Sequence, residues 1–245
     1  MIWHVIEGEA GCTFAREHDC VAVVVDALRA SATAAMFLDA GAMELLVVRE
    51  VDEAFEARRG FSDAVLAGER GGLPPDGFDL GNSPRDTAIV AERPVIFTTT
   101  TGAGRLVSCW GAAAIYMGTT VNASTVVRYA ASHERDVVLI PAGLADDPEF
   151  DAQEDWVAAT VIAMRASDAS FGEGADQLSH WRNRIREVGV PMLFTTAPHA
   201  AKLRKVGLDE DIDFCAQVDV TDAVPMAVER RDSGIRCLRA PGPTR

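Results

Sequence analysis

The chain is short of positive charge. Against 37 acidic residues it carries 23 lysines and arginines, leaving a formal net charge of −14. A field of that sign repels nucleic-acid phosphates and anionic lipid over about one Debye length, ~8 Å at physiological salt, so neither a nucleic-acid nor a membrane partner is expected. Cysteine is scarce and poorly spaced for staples: Cys12, Cys20, Cys109, Cys215 and Cys237 are odd in number, far apart, and form neither a C-x-x-C pair nor a zinc-type pairing with histidine. They read as reduced, mostly buried thiols. No apolar run approaches the ~18 residues of a membrane span. MIWHVIEGEAG lacks the basic and then apolar regions of a secretion signal, so a cytoplasmic location is expected. Internal repeats and low-complexity tracts are absent as well.

What is present is the material of a large core. With 245 residues, 48% of them hydrophobic and 24% charged, the chain has a globular composition and needs no disulfide or metal to hold a fold together. Short apolar runs recur along it: VAVVV (21–25), ELLVV (44–48), AVLA (64–67), PVIFT (94–98), AAIYM (113–117) and DVVLI (136–140). Continuous apolar runs without alternation are the mark of strands buried on both faces, which predicts a mostly parallel sheet in a layered α/β/α fold.

Helix signals fall between the runs. Ser31 is placed to cap SATAAMFLDAG, Asp52 to cap DEAFEARRG, Ser83 with Pro84 to open PRDTAIVAE, and Asn122 to cap ASTVVRYAAS. Beyond Ser167 the rhythm weakens to a polar helix over 176–188, a strand-like VPMLFT, a helix HAAKLRKV, and a hairpin turning near Ser233-Gly234. The expected organisation is an α/β core over 1–166 with an α+β portion over 167–245 packed on it. Two Gly/Pro-rich segments, 68–84 and 141–155, are long for simple connections; both follow a predicted strand, on the side where open α/β sheets bind ligands.

Chemistry-bearing residues gather at four such strand ends. Asp26, Arg29 and Ser31 follow VAVVV. Glu69 and Arg70 follow AVLAG, with Asp79, Asn82 and Ser83 further along the loop. TTTTGAGR, 98–105, brings Thr99, Thr100, Thr101, Gly102 and Arg105, and Glu154 with Asp155 opens DWVAATVIAM. Hard carboxylate oxygens suit Mg²⁺, which keeps most of its waters and reaches the protein through one or two carboxylates. Arginine forks match phosphate. An acidic chain that binds a small anion must concentrate such groups locally, so the set describes a metal-assisted phosphoryl site. Taken singly, Glu154 and Asp155 are also ordinary acids of a first helical turn, TTTTG an ordinary strand end, and the five histidines structural or solvated.

Common phosphoryl and nucleotide signatures are missing. Leu28 stands where a haloacid-dehalogenase-type site has its second aspartate, no arginine lies six residues after Cys20 or Cys109, Val107 replaces the last glycine of a dinucleotide fingerprint, and no P-loop lysine follows.

VVVDALRASAT, LAGERGG with GFDLGNSP, TTTTGAGRL, TVNAS, PAG leading to EDWVAA, and DIDFCAQVDVTDAVP occur in an order that resembles the 2-phosphosulfolactate phosphatase family, from about Val21 to Pro225. The chain departs from that family's pattern at Thr101, Ala103, Pro141 and Thr160. The resemblance implies an α/β fold and a Mg²⁺-dependent phosphatase that converts 2-phosphosulfolactate to 3-sulfolactate and phosphate on the route to coenzyme M. It implies Asp26 as the central carboxylate, nucleophile or metal ligand, with Glu69 and Asp155 as metal or acid/base groups and Asp79 and Glu154 as further metal candidates. Arg29, Arg70 and Arg105 would bind the anion, Ser31, Asn82 and Ser83 would orient it, and Thr99 to Gly102 would supply hydroxyls and N–H groups. A phosphatase of another small phospho acid, a non-catalytic binder of a phosphorylated or sulfonated metabolite, and a nucleotide-dependent enzyme remain as competing readings. The partner expected is a small anionic phosphorylated substrate, and a homodimer is left open.

Overall fold

The strand β2 (Val21–Val25) shows why the apolar runs do not alternate. Val21, Val23 and Val25 face one hydrophobic core while Ala22 and Val24 face another, and all five are fully buried. In the computed structural model, which describes residues 1–61, 63–144, 147 and 150–241, β2 lies inside a ten-stranded mixed sheet flanked by helices on both faces. The layered α/β class is therefore observed.

Along the chain β1 (Ile2–Val5), α1 (Gly8–Glu17) and β2 are followed by α2 (Ala30–Asp39), β3 (Glu44–Val47), α3 (Val51–Gly60), β4 (Val65–Gly68), β5 (Pro94–Thr98), α4 (Gly102–Ser108) and β6 (Ala114–Met117). Then come α5 (Ala123–Ala131), β7 (Val137–Pro141), α6 (Gln153–Ala163), β8 (Ser170–Phe171), α7 (Ala175–Thr196), α8 (Pro198–Arg204), α9 (Asp209–Cys215), β9 (Pro225–Arg231) and β10 (Gly234–Arg239). All six runs expected as strands are strands; β1, β8, α1 and α9 are additional. No helix among the described residues is long and apolar enough to cross a membrane.

Strand order is β4-β5-β3-β10-β9-β6-β2-β7-β1-β8. The groups β4-β5-β3 and β6-β2-β7-β1-β8 are each parallel, and the C-terminal hairpin β9–β10 is inserted between them, antiparallel to β3 on one side and to β6 on the other. The insertion reverses one parallel group relative to the other. Ordinary right-handed twist, roughly 20–25° per strand, accumulates to more than about 100° over the five steps from β5 to β2 and swings their carboxyl ends together. A single core under α1, α2 and α4 accordingly contains Val24 of β2, Val47 of β3, Phe97 of β5 and Ile235 of β10.

Several expected helix details differ. α2 begins at Ala30, and the Ser31 hydroxyl is turned back to the Val24 carbonyl instead of capping. α3 is capped by Glu50, not Asp52, in a reciprocal capping box with Glu53. No helix follows Ser83-Pro84; that stretch runs as turns, with the Ser83 hydroxyl engaged by Asp211. VPMLFT is helical, not a strand: α7 breaks at Gly189 (φ 81°), and Pro191 fits the first turn of the helical segment beyond the break. Leu193, Phe194, Ala197 and Ala200 then meet the core at helical spacing. A short apolar run does not by itself distinguish a strand from a buried helix.

Candidate active site

The carboxyl ends of β2, β4 and β5, the start of α6, and α8 surround a cleft of about 220 Å³. Asp26 sits at its floor. Its backbone N–H donates to Ser31 Oγ at 3.0 Å and its Oδ1 accepts from Ala30 N–H at 3.1 Å, which fixes the rotamer and leaves Oδ2 with no hydrogen bond among the described residues. Gly102 passes directly beneath: a Cβ there would stand 2.5 Å from Asp26 Oδ2, so only glycine allows the Thr-rich turn to close on the carboxylate. Burial pushes the Asp26 carboxyl up to about 6, against the pull of His199.

Glu69 and Asp155 complete an acidic wall, each clamped by main-chain donors. Glu69 Oε1 accepts from Thr100 N–H at 2.7 Å and Oε2 from Gly72 N–H at 2.9 Å, tying the loop after β4 to the turn after β5. Asp155 Oδ1 accepts from Ala27 N–H at 2.8 Å and Oδ2 from Gly143 N–H at 3.1 Å. Burial, reinforced by the charges of Glu154 and Asp26, nevertheless holds Asp155 well above the usual carboxylate range. Glu154 lies behind this wall, with Oε1 3.2 Å from His199 Nδ1 and Oε2 buried without a partner among the described residues.

The opposite wall is cationic and comes from the C-terminal helices. His199 and Lys202 of α8 both border the cleft. Burial alone would lower the His199 pKa, but the Glu154 hydrogen bond and charge, with Asp26 and Glu69 beyond, hold it above the ordinary histidine value. Arg29 borders the cleft too, yet its guanidinium donates to Asp211 Oδ2 at 2.5 Å and to the Gly72 carbonyl at 2.9 Å. Asp211 in turn accepts from Ser83 Oγ at 2.7 Å. Arg29 thus binds α9 and the Gly72 loop together. Asn82 reaches the cleft with its Oδ1, and Thr101 with its hydroxyl, unpartnered among the described residues.

Of the residues singled out in the sequence, the cleft brings together Asp26, Arg29, Glu69, Asn82, Thr100, Thr101 and Asp155. Gly102 underlies Asp26, and Glu154 contacts the cleft through His199. Ser31 and Ser83 are engaged in the structural bonds above. Asp79 is outside the cleft: its Oδ2 accepts from Leu66 N–H at 2.8 Å and pairs with Arg58 at 3.0 Å, pinning the long loop beside β4. Thr99, Arg70 and Arg105 border a separate recess on the far side of the Thr100-Thr101 segment. In the other long loop, 145–146 and 148–149 lie outside the described residues. Among the described residues no group of three or more His, Cys, Asp or Glu side chains is arranged to enclose a metal ion.

His199, Lys202 and Asp211 were not singled out. The partner of His199, Glu154, is 45 residues away, beyond any local ligand spacing. Asp211 does sit in DIDFCAQVDVTDAVP, so that motif is where a signal for it existed.

Residues 12–230 match the 2-phosphosulpholactate phosphatase family. This chain belongs to that family. A protein of Deinococcus radiodurans named probable 2-phosphosulfolactate phosphatase is 36% identical over 228 residues, covering 89% of this chain and 92% of the relative. One of Carboxydothermus hydrogenoformans with the same name is 33% identical over 207 residues, covering 84% and 86%. The matched span takes in β2 through most of β9, so every residue placed around the cleft falls within the family's shared region.

Proposed function

We propose that the cleft hydrolyses the phosphate monoester of a small 2-hydroxy acid, 2-phosphosulfolactate by family, to give 3-sulfolactate and phosphate, with Mg²⁺ as cofactor. The chain is a phosphoric monoester hydrolase by family. The observation that carries the reading is the lining of one cleft: Asp26, Glu69 and Asp155 border it together with Lys202 and His199, around a space suited to a small, multiply charged acid.

The donor set fits Mg²⁺. Asp26 Oδ2 is open, Glu69 and Asp155 each keep unused lone pairs beside their N–H bonds, and burial with neighbouring carboxylates holds Asp26 and Asp155 above the usual carboxylate range when no cation is present. A hard cation that binds through one or two carboxylates and retains its waters needs no tighter cage. When bound, Mg²⁺ would supply charge neutralisation for the phosphoryl oxygens.

The chain's own residues supply the remainder. Lys202 attracts and orients the anionic substrate. Asp26 Oδ2 faces the position where the phosphorus would sit, as nucleophile or as metal ligand. His199, with Nδ1 held by Glu154, keeps Nε2 free to give a proton to the leaving alkoxide oxygen. The test is phosphate release from a panel of phosphorylated 2-hydroxy acids, 2-phosphosulfolactate included, with Mg²⁺ and with EDTA. Turnover with Mg²⁺ that EDTA abolishes is expected; absence of release from every member of the panel overturns the reading.

A further inference from the structure

On the other side of the Thr100-Thr101 segment from the catalytic cleft lies a recess of about 320 Å³ bordered by Arg49, Arg70 and Arg105. Three guanidinium groups converging on one space is notable in a chain of net charge −14. Neutral acceptors hold all three in place. Arg70 donates to the Glu69 and Arg49 carbonyls at 2.7 and 2.8 Å and to Thr98 Oγ1 at 3.0 Å, Arg105 donates to the Ala142 carbonyl at 2.9 Å, and Arg49 donates to Ser108 Oγ at 2.9 Å. These bonds orient the groups without cancelling their charge.

Two carboxylates, Glu9 and Glu50, also border the recess and cancel it only in part. Glu50 stands 3.9 Å from Arg70 and Glu9 3.4 Å from Arg105, and both are mostly solvent-exposed. Arg49 has no carboxylate partner among the described residues. Of its five N–H donors a single one is engaged among the described residues, so the fork is available for a ligand. Thr101, more than nine-tenths buried and bordering the recess, has a hydroxyl with no partner among the described residues. Cationic forks, a waiting hydroxyl and the Ser108 side chain form a donor-rich surface whose natural complement is a small tetrahedral oxyanion.

We propose that this recess is a second anion-binding site, distinct from the carboxylate cleft, which takes inorganic phosphate or the phosphate or sulfonate group of a small metabolite. The site is separated from the cleft by Thr100 and Thr101, which border both, so a ligand in one bears on a wall of the other. The assignment stands apart from the proposed hydrolysis, because the recess contains neither Asp26 nor Asp155.

Calorimetric titration of inorganic phosphate into the full chain, in metal-free buffer, tests it. Binding of one phosphate per chain is expected, weakened about tenfold in Arg49→Gln by loss of a charge-assisted hydrogen bond and unchanged in Lys202→Gln, which alters the cleft instead. Arg49 is exposed, so its substitution leaves the core intact. Absence of saturable binding by the wild-type chain, equal affinity in Arg49→Gln, or loss of binding in Lys202→Gln each overturns the proposal. Glycerol 3-phosphate, titrated in parallel, separates the two sources. Affinity equal to that of inorganic phosphate assigns the recess to the free ion, and affinity more than about tenfold higher assigns it to the acidic group of a larger metabolite.

Discussion

The two walls of the cleft are built on opposite principles. The acidic wall is made by two strand ends and the first turn of α6, whose carboxylates are each clamped by main-chain N–H groups: Ala30 on Asp26, Thr100 and Gly72 on Glu69, Ala27 and Gly143 on Asp155. The cationic wall is made by His199 and Lys202 on the C-terminal helix α8 and by Arg29 between β2 and α2, held by side chains that come from far along the sequence, Glu154 under His199 and Asp211 under Arg29. The first wall is therefore rigid but electrostatically costly, since like charges are buried together. The second is comfortable in charge but depends on tertiary packing to exist at all.

The sharpest way to separate the two is to neutralise Asp26. Asp26→Asn is expected to lower phosphate release by about a thousandfold or more. Its effect on stability should run the other way. Because burial raises the carboxyl to about 6 from an ordinary value near 3.8, the folded chain holds this proton more tightly than the unfolded chain. The resulting stability is present in full below 3.8 and is lost as pH rises through about 6. Without metal, Asn at this position should raise the melting temperature relative to wild type at pH 8 and bring no gain at pH 4. Adding Mg²⁺ should stabilise wild type and not the variant. Equal melting temperatures at pH 8 would show that the acidic wall carries no such cost.

The other wall answers to different substitutions. His199→Gln is expected to reduce turnover about a hundredfold, the scale of a lost acid–base group, with little change in melting temperature because the histidine is partly exposed. Asp211→Asn should do the reverse in stability. It leaves Arg29 buried at 2% exposure without a counter-charge, at a cost of about 3–5 kcal/mol, read as a lower denaturant midpoint. The double change Arg29→Met with Asp211→Leu should recover most of that loss, since no charge is then left buried.

The same contrast explains what could be read from the sequence. Strand cores announce themselves by continuous apolar runs, and a carboxylate following such a run, as Asp26 and Glu69 do, or opening a helix after a long loop, as Asp155 does, is visible without a structure; the three border one cleft. Three kinds of information were out of reach. Side-chain partners across long separations are one, as with His199 and Glu154. Insertion of the C-terminal hairpin between β3 and β6 is another: its turn is local, but the site of insertion is a property of the whole sheet. The third is which side of a loop a residue faces. Arg70 directly follows Glu69, yet the two side chains diverge, one towards the cleft and the other towards the arginine recess. Adjacent residues on an extended chain point to opposite sides, so proximity in sequence to a catalytic carboxylate places Arg70 no nearer to its substrate.

Asp79 offers the gentlest test of the comparison, because it is an acid of the same loop that obeys the rules of the surface. Its carboxylate takes the Leu66 N–H and the Arg58 guanidinium, both partners about a third exposed or main-chain, and it faces neither wall. Arg58→Ala removes the ion pair and leaves the main-chain bond in place. The expected loss is at most about 1 kcal/mol, the usual worth of an exposed pair, with phosphate release unchanged. A drop in turnover with this variant would mean that the loop after β4 transmits its anchoring to Glu69, and that the acidic wall extends further along the loop than its hydrogen bonds imply.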